Sequence, residues 1–359
     1  MSNPTRVLFQ GLLEEYDFGK DHPFTGDRFH SFPELLDNKL EEGDYEILGA
    51  EPVSKEELFR IASEDYVDFT SDFFNSSEVK RDSSEFGKFH SADNFPGRRS
   101  GRLETAARAA LGQAKKAAEL VCEGSEKAIS IGGGFHHAKP NSGEGFCLYN
   151  DVAYAAKYLL ADKDVDRVLI LDTDAHAGNG TYEYFSGDPR VLQVDIHQDP
   201  TTIYPGTGFV EEIGTGEGEG YTVNVPLPEG AGDKSYRLLF EEIVTPVATQ
   251  FSPSVIIRNG GGDPYFGDPL TNLGLTLNGL KMLGSLVNNL RKELECGLID
   301  LIVSGYSGEE LHQCWFALLA GLMGKKAELP GSDGEEVILS STRELIAEVK
   351  SVQRAYWDF

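Results

Sequence analysis

Apolar residues gather in short runs near 127–131, 167–173, 190–196, 221–225, 254–258 and 298–303, each long enough for one strand. Between them, apolar positions recur at helical spacing over about 103–120, 234–249 and 277–293, and Asn150-Asp151 opens another such stretch as a helix start. Strands alternating with helices predict an α/β fold with a central, mostly parallel sheet, helices on both faces and long loops at the strand C-terminal ends. The last part of the chain reads as mostly helical. Residues 1–100 read as irregular, a loop-rich segment of the kind that walls an active site. The glycine-rich run 214–220 lacks a phosphate-loop spacing, carries two glutamates and reads as a flexible connection. No linker or repeat divides the chain, which predicts one domain over 1–359.

The run from Val168 to Gly180 passes from a buried-strand pattern straight into Asp172, Asp174 and His176. If the strand continued, these would stand at i, i+2 and i+4 and project from one face. Carboxylate and imidazole together suit a borderline divalent ion such as zinc, and a further ligand must come from elsewhere in the fold. Capping of the following helix is the alternative, but it needs only one such residue. Asp263 follows another apolar run and is framed by glycines, which makes it the natural third ligand. His136 and His137 follow a third run, and Tyr306 a fourth. Ligands of open α/β sheets collect at the carboxyl ends of strands, so these segments are expected to meet in one cleft. Asp174, His176 and Asp263 leave a tetrahedral zinc open to water and substrate. The two histidines then offer a base and an acid, and the phenol a donor to an oxyanion.

Composition narrows the partners. The 359 residues carry 32 Lys+Arg against 59 Asp+Glu, a net charge of −27 that opposes direct nucleic-acid binding. Such a surface draws basic partners, and it also keeps a protein soluble in high salt. Cys122, Cys147, Cys296 and Cys314 lie far apart, so no disulfide framework or thiolate metal site is expected, and a reducing cytoplasm fits. No apolar run reaches membrane-spanning length and no signal sequence is visible.

The runs 133–139, 145–151, 172–180, 204–208 and 261–269 stand in the order and spacing of the histone deacetylase superfamily, which the chain resembles over about 22–315. The resemblance is nearest to prokaryotic acetoin-utilization-type deacetylases and acetylpolyamine amidohydrolases. It implies an arginase/deacetylase-like fold and a hydrolase that uses metal-activated water to remove acetyl from N-acetylated lysine in proteins, or from an acetylated small amine. It implies Zn2+, with Fe2+ as an alternative ion, held by Asp174, His176 and Asp263. His137 would act as base and acid beside His136, with Asp172 behind His136. Asn179 stands behind His137 where many members have aspartate, which removes a charge from that histidine's partner. Tyr306 would polarise the carbonyl, with Ser304-Gly305 replacing the usual glycine pair.

Phe146 and Tyr204 would line an acetyl-lysine tunnel, although the residues alone read more simply as core. Gly145 would accept from the substrate amide, Leu270 would shape the rim, and Arg28 would border an acetate-release channel or else form a surface salt bridge. The resemblance also implies structural K+, one ion near Asp172 and Asp195 and a second near Phe185 and Tyr221. Three readings compete with it: a cysteine hydrolase using Cys147, a non-catalytic acetyl-lysine reader, and a binuclear manganese hydrolase. The last would want aspartates where Ala177 and Asn179 stand.

Overall fold

A computed structural model describes residues 4–76, 83–97, 101–331 and 340–359. Eight strands form one sheet: β1 (Thr5–Leu8), β2 (Tyr45–Leu48), β3 (Lys127–Ile131), β4 (Val168–Asp172), β5 (Val191–Gln198), β6 (Thr222–Leu227), β7 (Val255–Gly260) and β8 (Gly297–Ile302). Their order is β2-β1-β3-β8-β7-β4-β5-β6, and every pairing is parallel. The central strands are apolar throughout because both faces are covered. In β4, Leu169 and Leu171 enter one buried cluster while Val168 and Ile170 enter the other. The helices Leu103–Cys122 and Asp151–Asp162 supply alanines and valines to the second cluster. The helices Leu277–Glu293 and Leu311–Met323 pack on the first. These last two approach closely because Gly284 and Gly321 face each other's backbone. A Cβ on either would stand 2.2 Å from Leu318 O or 2.0 Å from Lys281 O.

Three expectations are corrected. Residues 1–100 are not merely irregular: β1 and β2 form one edge of the sheet, and the helix Glu64–Phe74 adds to an aromatic core with Phe18, Phe24, Phe29 and Phe32. Four-residue strands are too short to show a period, so the pattern hid them. The helix expected over 234–249 runs Asp233–Leu239, passes through a π-helical turn at Phe240–Val244 and resumes at Thr245–Phe251. Pro246 has no N–H to return to the preceding turn, which accounts for a break there. The glycine-rich run is packed, not loose. A Cβ on Gly218 would lie 2.4 Å from Ser186 O, and Gly220 lies beneath the Tyr356 ring.

Candidate active site

The loops after β3, β4, β7 and β8 converge on one cavity of 640 Å³, lined among others by His136, His137, Asp174, His176 and Tyr306. After β3, the Asp151 carboxylate accepts from the backbone N–H groups of Gly134 (2.9 Å) and Phe135 (2.7 Å). Asn150 caps its helix by accepting from Ala153 N (2.8 Å), and its amide also donates to His136 O (3.1 Å). Capping is therefore only part of what this pair does. Together the two residues fasten the loop that carries both histidines.

β4 ends at Asp172, earlier than the expected i, i+2, i+4 register required. Asp172 accepts from Asp174 N (3.1 Å) and Asp174 accepts from His176 N (2.9 Å). Two successive side-chain turns of this type bend the chain out of the sheet. Asp172 consequently faces away from the cluster, accepting from His136 Nδ1 (2.7 Å) and from the Asn259 amide (3.0 Å). Asp174 and His176 turn instead towards Asp263. The ligand atoms of these three residues lie within 4.8 Å of one another, with His176 Nδ1 3.0 Å from Asp174 Oδ1 and 3.1 Å from Asp263 Oδ2.

This donor set fits a divalent cation. Burial penalises the His176 cation, yet hydrogen bonds to Asp174 and Asp263 outweigh it and raise the imidazole to about 10. Burial and the neighbouring Asp174 charge likewise push Asp263 up. Two buried carboxylates around one imidazole thus call for positive charge at their centre, which a metal ion meets with two oxygen ligands and one nitrogen. Ser304 Oγ donates to the other oxygen of Asp263 (2.6 Å), so the departure from a glycine pair places a hydroxyl behind a candidate ligand.

The two histidines are pushed in opposite directions. For His136 burial is outweighed by the charges of Asp172 and Asp174, which raise it to about 9. For His137 burial, reinforced by His136 and His176, lowers it well below the ordinary imidazole range. Their Nε2 atoms stand 3.1 Å apart, and His137 Nδ1 donates to Asn179 Oδ1 (2.8 Å). Tyr306 lies across the cavity, its backbone N–H held by Asp268 Oδ2 (2.6 Å). Burial raises its phenol well above the usual range, so it stays a protonated donor at neutral pH.

Phe146 and Tyr204 line the same cavity, as do Gly145 and Leu270. The Phe146 ring stands 6.0 Å from Tyr306, and the Tyr204 ring 5.0 Å from His137. Gly145 adopts φ +58°, and a Cβ there would lie 2.3 Å from the His137 ring, so only glycine fits beside that imidazole. Arg28 is no surface salt bridge. Buried and lowered by desolvation, it donates to Val303 O (3.2 Å) and lies against Phe24 and, at 5.2 Å, the Tyr306 ring. Of the residues expected near potassium, Asp195 accepts from Gly178 N (2.9 Å) and His197 Nδ1 (2.7 Å). Phe185 is buried in the apolar cluster and Tyr221 packs on Phe251 and Trp357. Cys147 is buried and its thiol pushed up by desolvation, which disfavours a thiolate nucleophile. Among the described residues, Asp174, His176 and Asp263 form the one cluster of acidic, histidine or cysteine ligands, with no companion for a binuclear centre.

Sequence reasoning missed several residues. Asp93 lines the cavity and accepts from Gly145 N (2.8 Å). Asp268 holds both Tyr306 and Leu270 N (2.9 Å). Asp268 lies inside the motif 261–269, where its glycine and proline neighbours were the available signal; Asp93 carries no local signal at all.

A parallel α/β sheet with a cluster of candidate metal ligands, a histidine pair and a tyrosine beyond its strand ends is the architecture of a deacetylase-type hydrolase. The histone deacetylase domain model matches residues 22–322, and the chain belongs to the histone deacetylase family. A probable deacetylase of Archaeoglobus fulgidus is 38% identical over 311 residues, covering 85% of this chain and 82% of that protein. The acetoin utilization protein AcuC of Staphylococcus aureus is 32% identical over 315 residues, covering 85% and 77%. The crystal structure of the HDA15 HD domain superposes with a TM-score of 0.83 at 26% identity, covering 99% of this chain and 96% of that one.

Proposed function

We propose that this protein is a zinc-dependent deacetylase of N-acetylated lysine in proteins, working in the cytoplasm. One observation carries it: Asp174, His176 and Asp263 meet beside the His136/His137 pair and a phenol whose hydroxyl has no protein partner among the described residues. When bound there, zinc would polarise the acetyl carbonyl as a Lewis acid and acidify water, with Fe2+ able to do the same. His137, the neutral histidine, takes the proton of the attacking water through Nε2, because its Nδ1–H is committed to Asn179. Tyr306 donates to the developing oxyanion. The charged His136, or His137 once protonated, delivers a proton to the departing amine as the C–N bond breaks, giving acetate and lysine. Such opposed histidines suit acid and base work at one pH.

Phe146 and Tyr204 would flank the lysine methylenes, Gly145 O would accept from the substrate amide, and Arg28 would border the inner end near Tyr306. Structural K+ would sit near Asp172 and Asp195, with Phe185 and Tyr221 near a second ion. A rim with Tyr204 at 42%, Leu270 at 39% and neighbouring Phe266 at 64% exposure offers an apolar surface to a peptide. Four free cysteines and the absence, among the described residues, of a helix able to cross a membrane are compatible with the cytoplasm. Asp93 in the cavity lining favours one alternative, an acetylpolyamine with a distant ammonium. Zinc-dependent turnover on an acetyl-lysine peptide and on acetylputrescine separates the two. Faster peptide cleavage is expected, faster acetylputrescine cleavage would transfer the assignment, and no cleavage of either would overturn it.

A further inference from the structure

Asn179 leaves His137 without a charged partner, but a carboxylate lies one residue further out. Asn179 Nδ2 donates to Glu144 Oε1 (2.5 Å), and Glu144 is ion-paired with Lys139 Nζ (3.1 Å). An ionised carboxylate only accepts hydrogen bonds, so the Asn179 NH2 must face Glu144 and its carbonyl oxygen must face His137. An oxygen at His137 Nδ1 (2.8 Å) requires a proton on that nitrogen. The remaining lone pair is then on Nε2, the nitrogen turned towards His136 and the cavity. Each link dictates the next, from ammonium through carboxylate and amide to imidazole. Without Glu144 the amide could turn over, present NH2 to Nδ1, and select the tautomer whose Nε2 carries the proton and cannot act as a base.

We propose that Glu144 is a positioning residue for His137, fixing the direction of the Asn179 amide and thereby the proton-bearing nitrogen of the imidazole. Its kinetic consequence rests on the deacetylase reading; its effect on the tautomer does not.

The test is a double-mutant cycle on the zinc-loaded chain, with 15N shifts of labelled histidine read in parallel. Glu144→Gln offers Asn179 either end of an amide, so kcat is expected to fall about ten- to a hundredfold with KM and zinc content little changed. Asn179→Asp alone sets two carboxylates against each other and also lowers kcat. In the double variant the amide introduced at position 144 can donate to the carboxylate introduced at position 179, which again accepts from His137 Nδ1. There kcat is expected to recover to within about threefold of the original. Losses that multiply in the double variant, as a purely structural role demands, would overturn the proposal. A kcat unchanged in Glu144→Gln would overturn it as well. The 15N spectrum should show His137 as the Nδ1–H tautomer, with the Nε2–H form appearing in Glu144→Gln and disappearing in the double variant. An unchanged tautomer in Glu144→Gln would refute the proposal even if the chain hydrolysed no acetyl amide, so the two failures remain distinguishable.

Discussion

Removing the Tyr306 hydroxyl separates chemistry from folding at this site. The ring is held by its surroundings: its backbone N–H donates to Asp268 (2.6 Å), Phe146 meets it edge-on at 6.0 Å, and the Arg28 guanidinium lies 5.2 Å from its centroid. The hydroxyl itself has no protein partner among the described residues, so Tyr306→Phe deletes no hydrogen bond of the fold. A stability change within about 0.5 kcal/mol is expected. In the reaction, the same deletion removes a donor from a developing oxyanion inside a largely buried cavity, which costs about 2.7–4 kcal/mol, or about 100- to 1000-fold in kcat. Because the loss falls on the transition state, KM should stay within about threefold. The assay is steady-state deacetylation of an acetyl-lysine peptide at matched zinc content, alongside thermal unfolding. A kcat within about tenfold of the original at full zinc occupancy would refute the oxyanion role. So would a large fall in Tm, which would make the hydroxyl a structural group.

Two further perturbations probe the surroundings of the site. Ser304→Ala removes the hydroxyl behind Asp263 and should weaken zinc binding about 10- to 100-fold in a chelator competition; unchanged affinity would leave the serine without influence on that carboxylate. His90 is buried among Tyr66, Phe74 and Phe86, and desolvation lowers it to about 3 from its ordinary 6.5. The unfolded chain therefore takes up this proton first, so stability present above pH 6.5 is lost as pH falls towards 3, by about 2 kcal/mol at pH 5. His90→Gln should narrow the difference in unfolding free energy between pH 7 and pH 5 by that amount, and an unchanged difference would contradict it.

Much of the architecture could be read from the chain because the central strands are covered on both faces and so are apolar without interruption. β3 was legible to the residue, and the reactive side chains all follow strand ends. The four-residue strands β1 and β2 were not legible, since β1, though buried between two neighbours, and β2, exposed at the edge, are each too short to carry a period. The convergence of Asp174, His176 and Asp263 was legible in its members, while the strand register expected of the first two was not kept. Asp172 belongs to the strand but turns to its own backbone neighbourhood and to His136, while the chain curls twice before His176. Local pattern does not encode that curl. Glu144 and Asp93 were invisible for a related reason: each acts on a residue that folding brings to it from a distant segment, 35 residues from Glu144 to Asn179 and 52 from Asp93 to Gly145.

The central claim is that Asp174, His176 and Asp263 hold the ion on which amide hydrolysis depends. Chelator-stripped protein titrated with zinc, with initial rates measured on an acetyl-lysine peptide, tests it most directly. Activity is expected to rise from near zero to a plateau at one ion per chain, and to stay near zero throughout in Asp263→Ala. Full activity in the stripped protein, or an undiminished plateau in Asp263→Ala, would contradict it.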